Sequence, residues 1–307
     1  MFSRRHPFLF FMIVFAAIIM GGILGIRIVS ALSPSDSGYH YPAGSGGEKI
    51  GVIEVSGVIA ESRDIVFRLK RFREDDSIRA VVLRVDSPGG GAAPSQEICR
   101  EVEKTAQKKK VVASMGAIAT SGGYYIASSA HGIMANPGTI TGSIGVIMGF
   151  MNYEELLKKI GLKSFVIKSG RYKDTGSPAR PMRPGEKQIL QDFSDSIHRQ
   201  FIRAVARGRK MPVEKVEKIS DGRIFSGLKA REIGLVDRMG NLEDAIQWAG
   251  EMSGAKGKIT PIYPREDEDF FRRFLKMSAK EIAGRIMGEV AGAGNPRAGY
   301  LYLPPGE

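Results

Sequence analysis

Ala119-Thr120-Ser121-Gly122-Gly123-Tyr124-Tyr125 stands where an apolar, β-rich run, Val111–Met115, gives way to a segment of helical pattern. A serine at such a junction holds its hydroxyl at a sheet edge and near a helix N-terminus. Gly122 then leaves a backbone N–H beside it with no side chain in the way. The commonest role of a serine in that place is helix N-capping, so the stretch needs a second group before it implies chemistry. A hydroxyl is a poor nucleophile until a neighbouring base takes its proton. The chain has four histidines, of which His6 lies in a basic N-terminal tail and His40 in a Gly/Ser/Pro-rich stretch. His131, His198 or a lysine therefore remain. His131 follows Ser121 by ten residues, which along a helix is about 15 Å, and His198 falls in a long charged helix where exposure is expected. A lysine can serve if burial lowers its pKa to roughly 7–8. One is offered by Ser169-Gly170-Arg171-Tyr172-Lys173-Asp174, and Lys168 precedes it.

Outward from this turn, short β-rich runs alternate with amphipathic segments. Strands are expected at Ile50–Val55, Ala80–Val85, Val111–Met115, Gly132–Ala135 and Ser164–Ile167. Helices are expected at Asp64–Asp75, Pro94–Gln107, Ser121–Ala130, Tyr153–Ile160, Pro184–Arg207 and Asn241–Met252, with a further helical region over Met211–Asp237. Such alternation indicates an α/β fold with largely parallel, buried strands. On periodicity alone a doubly wound sheet fits as well as any other arrangement of this class. Beyond Gly254, Asp269–Val290 has a basic amphipathic helical pattern and Gly299–Leu303 reads as a terminal strand.

Five segments carry a resemblance. Asp86-Ser-Pro-Gly-Gly-Gly91, Thr120-Ser-Gly-Gly-Tyr-Tyr125, Thr141-Gly-Ser-Ile-Gly-Val146, Lys168-Ser-Gly-Arg-Tyr-Lys-Asp174 and Gly222-Arg-Ile-Phe-Ser-Gly227 resemble, in order, those of the signal peptide peptidase A family. These are membrane-anchored Ser/Lys proteases of the ClpP/crotonase superfold. The resemblance covers roughly residues 48–250 and implies a superhelix of repeated ββα units. It implies Ser121 as nucleophile and selects Lys173 over Lys168 as base through the pattern Ser-Gly-x-x-Lys-Asp. It also implies Gly90, with Gly89 as the alternative, and Gly122 as oxyanion donors. Ser169 is a candidate for orienting the lysine. Asp174 is expected to be structural, since a carboxylate partner would hold the lysine as ammonium. In this family one site can draw its serine and lysine from neighbouring subunits, so a homo-oligomer is expected. The substrates implied are apolar remnants of signal peptides, with no cofactor. Thr141–Val146, rich in Gly and β-branched residues, suits pairing with an extended peptide, although a plain connecting loop fits equally.

The rest of the chain bounds these expectations. Phe8–Ile26 is nineteen apolar or glycine residues without a charge, enough as a helix to nearly span a hydrocarbon core of about 30 Å. Arg4 and Arg5 precede it and Arg27 follows, which places the N-terminus in the cytoplasm. The expected organisation is a cytoplasmic tail 1–7, an anchor 8–26, a flexible linker 27–47, a protease domain 48–254 and a helical extension with a terminal strand, 255–307. The catalytic domain would then stand outside the cytoplasm on a bacterial plasma membrane. Val29-Ser30-Ala31 also allows a cleaved leader, which would leave the same exported body. The net charge of +12 comes from basic residues scattered along helix-patterned segments, without the spacings of a nucleic-acid reader. No phosphate-cradling fingerprint is present. The single Cys99 excludes an intrachain disulfide and a thiolate metal cluster, and its place within a helix makes it a core residue. Three rivals stay open: a related membrane protease acting on other membrane or misfolded proteins, a crotonase-like hydratase (which has no use for an anchor), and a non-catalytic oligomeric scaffold.

Overall fold

The computed structural model describes residues 39–40, 46–264 and 299–301. From Glu48 the elements run β1 (Glu48–Ile59), α1 (Arg63–Glu74), β2 (Ile78–Gly91), α2 (Ala92–Ala106), β3 (Lys110–Thr120), α3 (Gly122–Ala127), β4 (Gly132–Ala135) and β5 (Ile140–Gly142). Then come α4 (Glu154–Lys159), α5 (Pro184–Arg209), α6 (Val213–Glu217), β6 (Ile224–Ser226), α7 (Gly227–Glu232), β7 (Arg238–Met239), α8 (Leu242–Ser253), β8 (Ile259–Pro264) and β9 (Gly299–Leu301). This is the mixed α/β architecture expected from the alternation.

The main sheet has the order β8-β1-β2-β3-β4-β7, and each neighbouring pair is parallel. Parallel strands covered on both faces read as continuous apolar runs, and Val81, Val82, Leu83, Val85, Val111, Val112 and Ala113 are all fully buried. The alternation of side chains assigns the two covering layers. Ile50, Val52, Ala80, Val82 and Val112 pack with Ala245, Ile246 and Ala249 of α8. On the opposite face Gly51 admits the ring of Phe72 from α1, since a β-carbon there would meet Phe72 Cδ2 at 2.4 Å. Burying a ring of this size stabilises the fold by about 1.5–3 kcal/mol.

The C-terminal ends of β2 and β3 leave this regular sheet together. The β2–β3 register shifts between Val85 and Ser87, and Asp86 turns its carboxylate under β3, accepting from Ile118 N–H at 3.1 Å. Past that point β3 pairs with β5 instead of β4, Ala119 opposite Thr141 and Thr120 opposite Gly142, and β6 closes on β5 antiparallel. Antiparallel to the end of β2 lies β9, Gly299 opposite Gly91, Tyr300 opposite Gly90 and Leu301 opposite Gly89.

Several expectations need correction. Ser164–Ile167 forms no strand: Phe165 is 87 % and Ile167 95 % exposed, and among the described residues no strand pairs with their backbone. The helix expected over Ser121–Ala130 is the shorter α3. Met211–Asp237 divides into α6, β6 and α7, because Gly222 with φ +89° and the β-branched Ile224 interrupt a helical pattern. Of the terminal strand, 299–301 is present. The anchor at 8–26 and the helix at 269–290 lie outside the described residues.

Candidate active site

Ser121 has backbone angles φ 53° and ψ −119°, a conformation that L-residues avoid at a cost of about 1–3 kcal/mol. Two hydrogen bonds hold it there. Its N–H donates to Gly142 O of β5 at 2.8 Å, and its carbonyl accepts Tyr125 N–H of α3 at 2.8 Å. The helix-cap alternative fails on geometry, because the Ser121 side chain makes no capping bond. Ser121 is only 1 % exposed and sits between the end of β3 and the first turn of α3. Beneath it Tyr124 is fully buried and donates to Leu235 O at 3.0 Å, and burial pushes its phenol far above the ordinary range. Tyr125 meets the Phe201 ring of α5 at 5.0 Å.

The glycine end of β2 faces this turn. A β-carbon built on Gly122 would stand 3.2 Å from Gly90 N and 3.3 Å from Gly89 Cα, and 2.5 Å from Ser95 Oγ. A β-carbon on Gly90 would meet Ile59 O at 2.3 Å. Both positions therefore require glycine for close approach, and the backbones of Gly90 and Gly122 converge beside Ser121. Two serines not singled out from sequence build this arrangement. Ser87 Oγ donates to Gly57 O at 2.5 Å and accepts Gly89 N–H at 3.1 Å, which braces Gly89 at φ +99°. Ser95 Oγ donates to Gly91 O at 2.8 Å. Asp86 and Ser87 fall within the segment Asp86–Gly91 that carries the resemblance but have no role assigned by it, and Ser95 lies four residues beyond.

In the lysine turn Arg171 and Tyr172 are exposed. Lys173 is exposed, and among the described residues no hydrogen bond joins it to Ser121. Ser169 is exposed in the same segment and likewise makes no bond to Lys173. Lys168 is committed to other groups, an ion pair with Asp174 and a bond to Arg171 O at 3.1 Å. Asp174 also accepts Arg180 Nε–H at 2.9 Å. The Arg180 and Lys168 cations hold its carboxyl well below the usual carboxylate range.

Neither His131 nor His198 makes a hydrogen bond to Ser121. His131 lies past the end of α3, its Nδ1 accepting Val111 N–H at 3.1 Å, and burial with Lys110 and Lys210 nearby lowers its pKa. His198 is half-buried rather than exposed. It lines a cleft of about 480 Å³ with Ser143, Val146, Asp195 and Asp221, and its Nε2 is buried without a partner. Cys99 is buried, and desolvation pushes its thiol up to about 12, so no thiolate is available for attack.

A serine on a strained strand-to-helix turn, with backbone N–H groups converging from a glycine strand end, is the arrangement of a serine hydrolase. Comparison with known proteins narrows this. Residues 103–256 match the model of Peptidase family S49, and the chain belongs to that family; it is a serine peptidase of the signal peptide peptidase A type. A Synechocystis sp. protein named as a protease is 50 % identical over 67 % of this chain and 75 % of its own length. A Methanocaldococcus jannaschii protein, also named as a protease, is 38 % identical over 67 % of each chain. An Enterococcus faecium protein named as signal peptide peptidase SppA is 37 % identical over 66 % of this chain and 63 % of its own.

Proposed function

We propose that this chain is a membrane-anchored endopeptidase with a Ser121/Lys173 dyad, built on a ClpP/crotonase-type frame of residues 48–254. In this reading Lys173 takes the Ser121 hydroxyl proton as Oγ attacks a peptide carbonyl. The Gly90 and Gly122 N–H groups receive the developing oxyanion. The lysine then gives its proton to the leaving amine, and water activated by the same group releases the acyl chain and restores Ser121. Ser169 orients the lysine amine, and no cofactor takes part. The observation that carries this reading is the strained Ser121 turn with Gly90 and Gly122 converging on it.

The substrates proposed are extended apolar peptides, with signal-peptide remnants as the class. Support comes from β9, where an extended segment of this chain, Gly299-Tyr300-Leu301, lies antiparallel on Gly89–Gly91. Main-chain pairing with a strand edge is a general mode of peptide binding. The charge-free run 8–26 supports an anchor in a bacterial plasma membrane through the linker 27–47, with the catalytic domain outside the cytoplasm.

Assembly completes the site in this reading. Ser121 is buried while Lys173 is exposed, and the segment bearing Lys173 also exposes Leu162, Phe165, Val166 and Ile167. An apolar surface of that kind marks an interaction site. A homo-oligomer in which one subunit's Lys173 meets its neighbour's Ser121 accounts for both facts. The test follows cleavage of an apolar fluorogenic peptide by the full chain in detergent, with particle size measured in parallel. Ser121→Ala and Lys173→Ala should each lower kcat by at least about 10⁴-fold at unchanged assembly. Wild-type activity in Ser121→Ala would overturn the mechanism.

A further inference from the structure

Arg180 is the most fully engaged cation of the segment between β5 and α5. A guanidinium has five N–H donors in a fixed fork, and here each has an acceptor. Nε–H donates to Asp174 Oδ2 at 2.9 Å. Nη1 donates to Pro181 O at 3.0 Å and Glu186 Oε2 at 2.9 Å. Nη2 donates to Asp174 O at 3.0 Å and Glu186 Oε1 at 2.6 Å. Glu186 has no exposed side-chain surface, sits in the first turn of α5 and accepts Arg183 N–H at 2.9 Å. Helix α5 is in turn fixed to the body by buried Phe201, Ile202 and Val205. A continuous chain of charge-assisted bonds thus runs from the core helix to the residue next to Lys173.

We propose that Arg180 is the positioning residue of the lysine turn, with two effects that both rest on Lys173 as the base. It ties the turn 171–176 to the rigid N-terminus of α5, so that the lysine is presented in one place. It also occupies the Asp174 carboxylate, which would otherwise pair with the adjacent ammonium and keep it protonated. The charged groups around this pair are Lys168 on Asp174 and Glu186 on Arg180. The Arg171 guanidinium lies over the Tyr172 ring at 5.2 Å. The Ser-Gly-x-x-Lys-Asp pattern thereby acquires a reason for its final residue: Asp174 is the handle that the arginine holds.

The experiment measures kcat/KM against pH for the full chain in detergent, with an apolar fluorogenic peptide. Since removing Arg180 alone would leave Glu186 buried and unpaired, the variant used is R180Q/E186Q. Its kcat is expected to fall about tenfold or more, and the limb along which activity rises with pH should move upward. The sign follows from the Asp174 oxygen released beside Lys173, which favours the charged amine. Adding D174N should return the limb to its wild-type position while kcat stays low. If R180Q/E186Q does not assemble, D174N alone provides the test, because the Arg180–Glu186 pair survives in it. It should lower kcat without an upward move of the limb. An unmoved limb in R180Q/E186Q, or an unchanged kcat in D174N, overturns the proposal while an inactive Lys173→Ala keeps the base reading intact. Wild-type activity in Lys173→Ala removes both.

Discussion

Gly122 shows how narrow the tolerances at this centre are. Its missing side chain leaves space that a single β-carbon would fill, 2.5 Å from Ser95 Oγ and 3.2 Å from Gly90 N. Gly122→Ala is therefore expected to displace a peptide carbonyl from the donors and lower kcat by about 10²–10³, the range for losing one oxyanion donor. Melting temperature and particle size should stay close to wild type, which separates this outcome from misfolding. The candidate nucleophile and the glycines were legible in the sequence because each is a residue type the chemistry restricts. Ser87 and Ser95 were not legible, since bracing a glycine turn leaves no local signature in a serine. The strain at Ser121, φ 53°, could not be read either: it arises from pinning between β5 and α3, and β5 lies some twenty residues further along the chain.

At the scale of elements, the junctions carry the testable content. Glu186 at the start of α5 has its carboxyl held down to about 2, first by the Arg180 guanidinium and then by the Arg183 N–H. A carboxylate whose folded pKa lies below its unfolded value adds stability that is complete above the unfolded pKa, near 4.5, and is lost as pH falls through the folded one. The melting temperature should accordingly decline between about pH 5 and pH 2, and R180Q/E186Q should decline less over that window. A steeper acid loss in the variant would contradict the assignment. Strand β9 gives a second prediction. Deleting residues 299–307 removes a segment that lies on the glycine edge of β2, so KM for an apolar peptide should fall while kcat stays unchanged. An unchanged KM would show that β9 does not compete for that edge. Most elements were visible as period and composition. Ser164–Ile167 failed as a strand because β-branched apolar residues mark a buried surface without saying whether another chain supplies the cover.

For the whole molecule, the central question is why a buried Ser121 and an exposed Lys173 sit without a bond in one chain. Assembly through the apolar segment around Phe165 and Ile167 answers it in the proposed reading. Phe165→Asp with Ile167→Asp should leave the secondary structure of the subunit intact, reduce particle size to the monomer in light scattering, and abolish cleavage. Retained activity in a monomer would sink the shared site. The amino-acid sequence by itself determined the class of fold, the strand-to-helix turn at Ser121, the glycine run and the charge-free stretch 8–26, because all of these are local: a period, a residue type or a length expresses them. Tertiary structure alone decided which backbones converge on the serine, which carboxylates Arg180 holds, and that Lys168 rather than Lys173 pairs with Asp174. Those facts depend on distances between segments far apart along the chain, and packing sets such distances only once the sheet and its covering helices have formed.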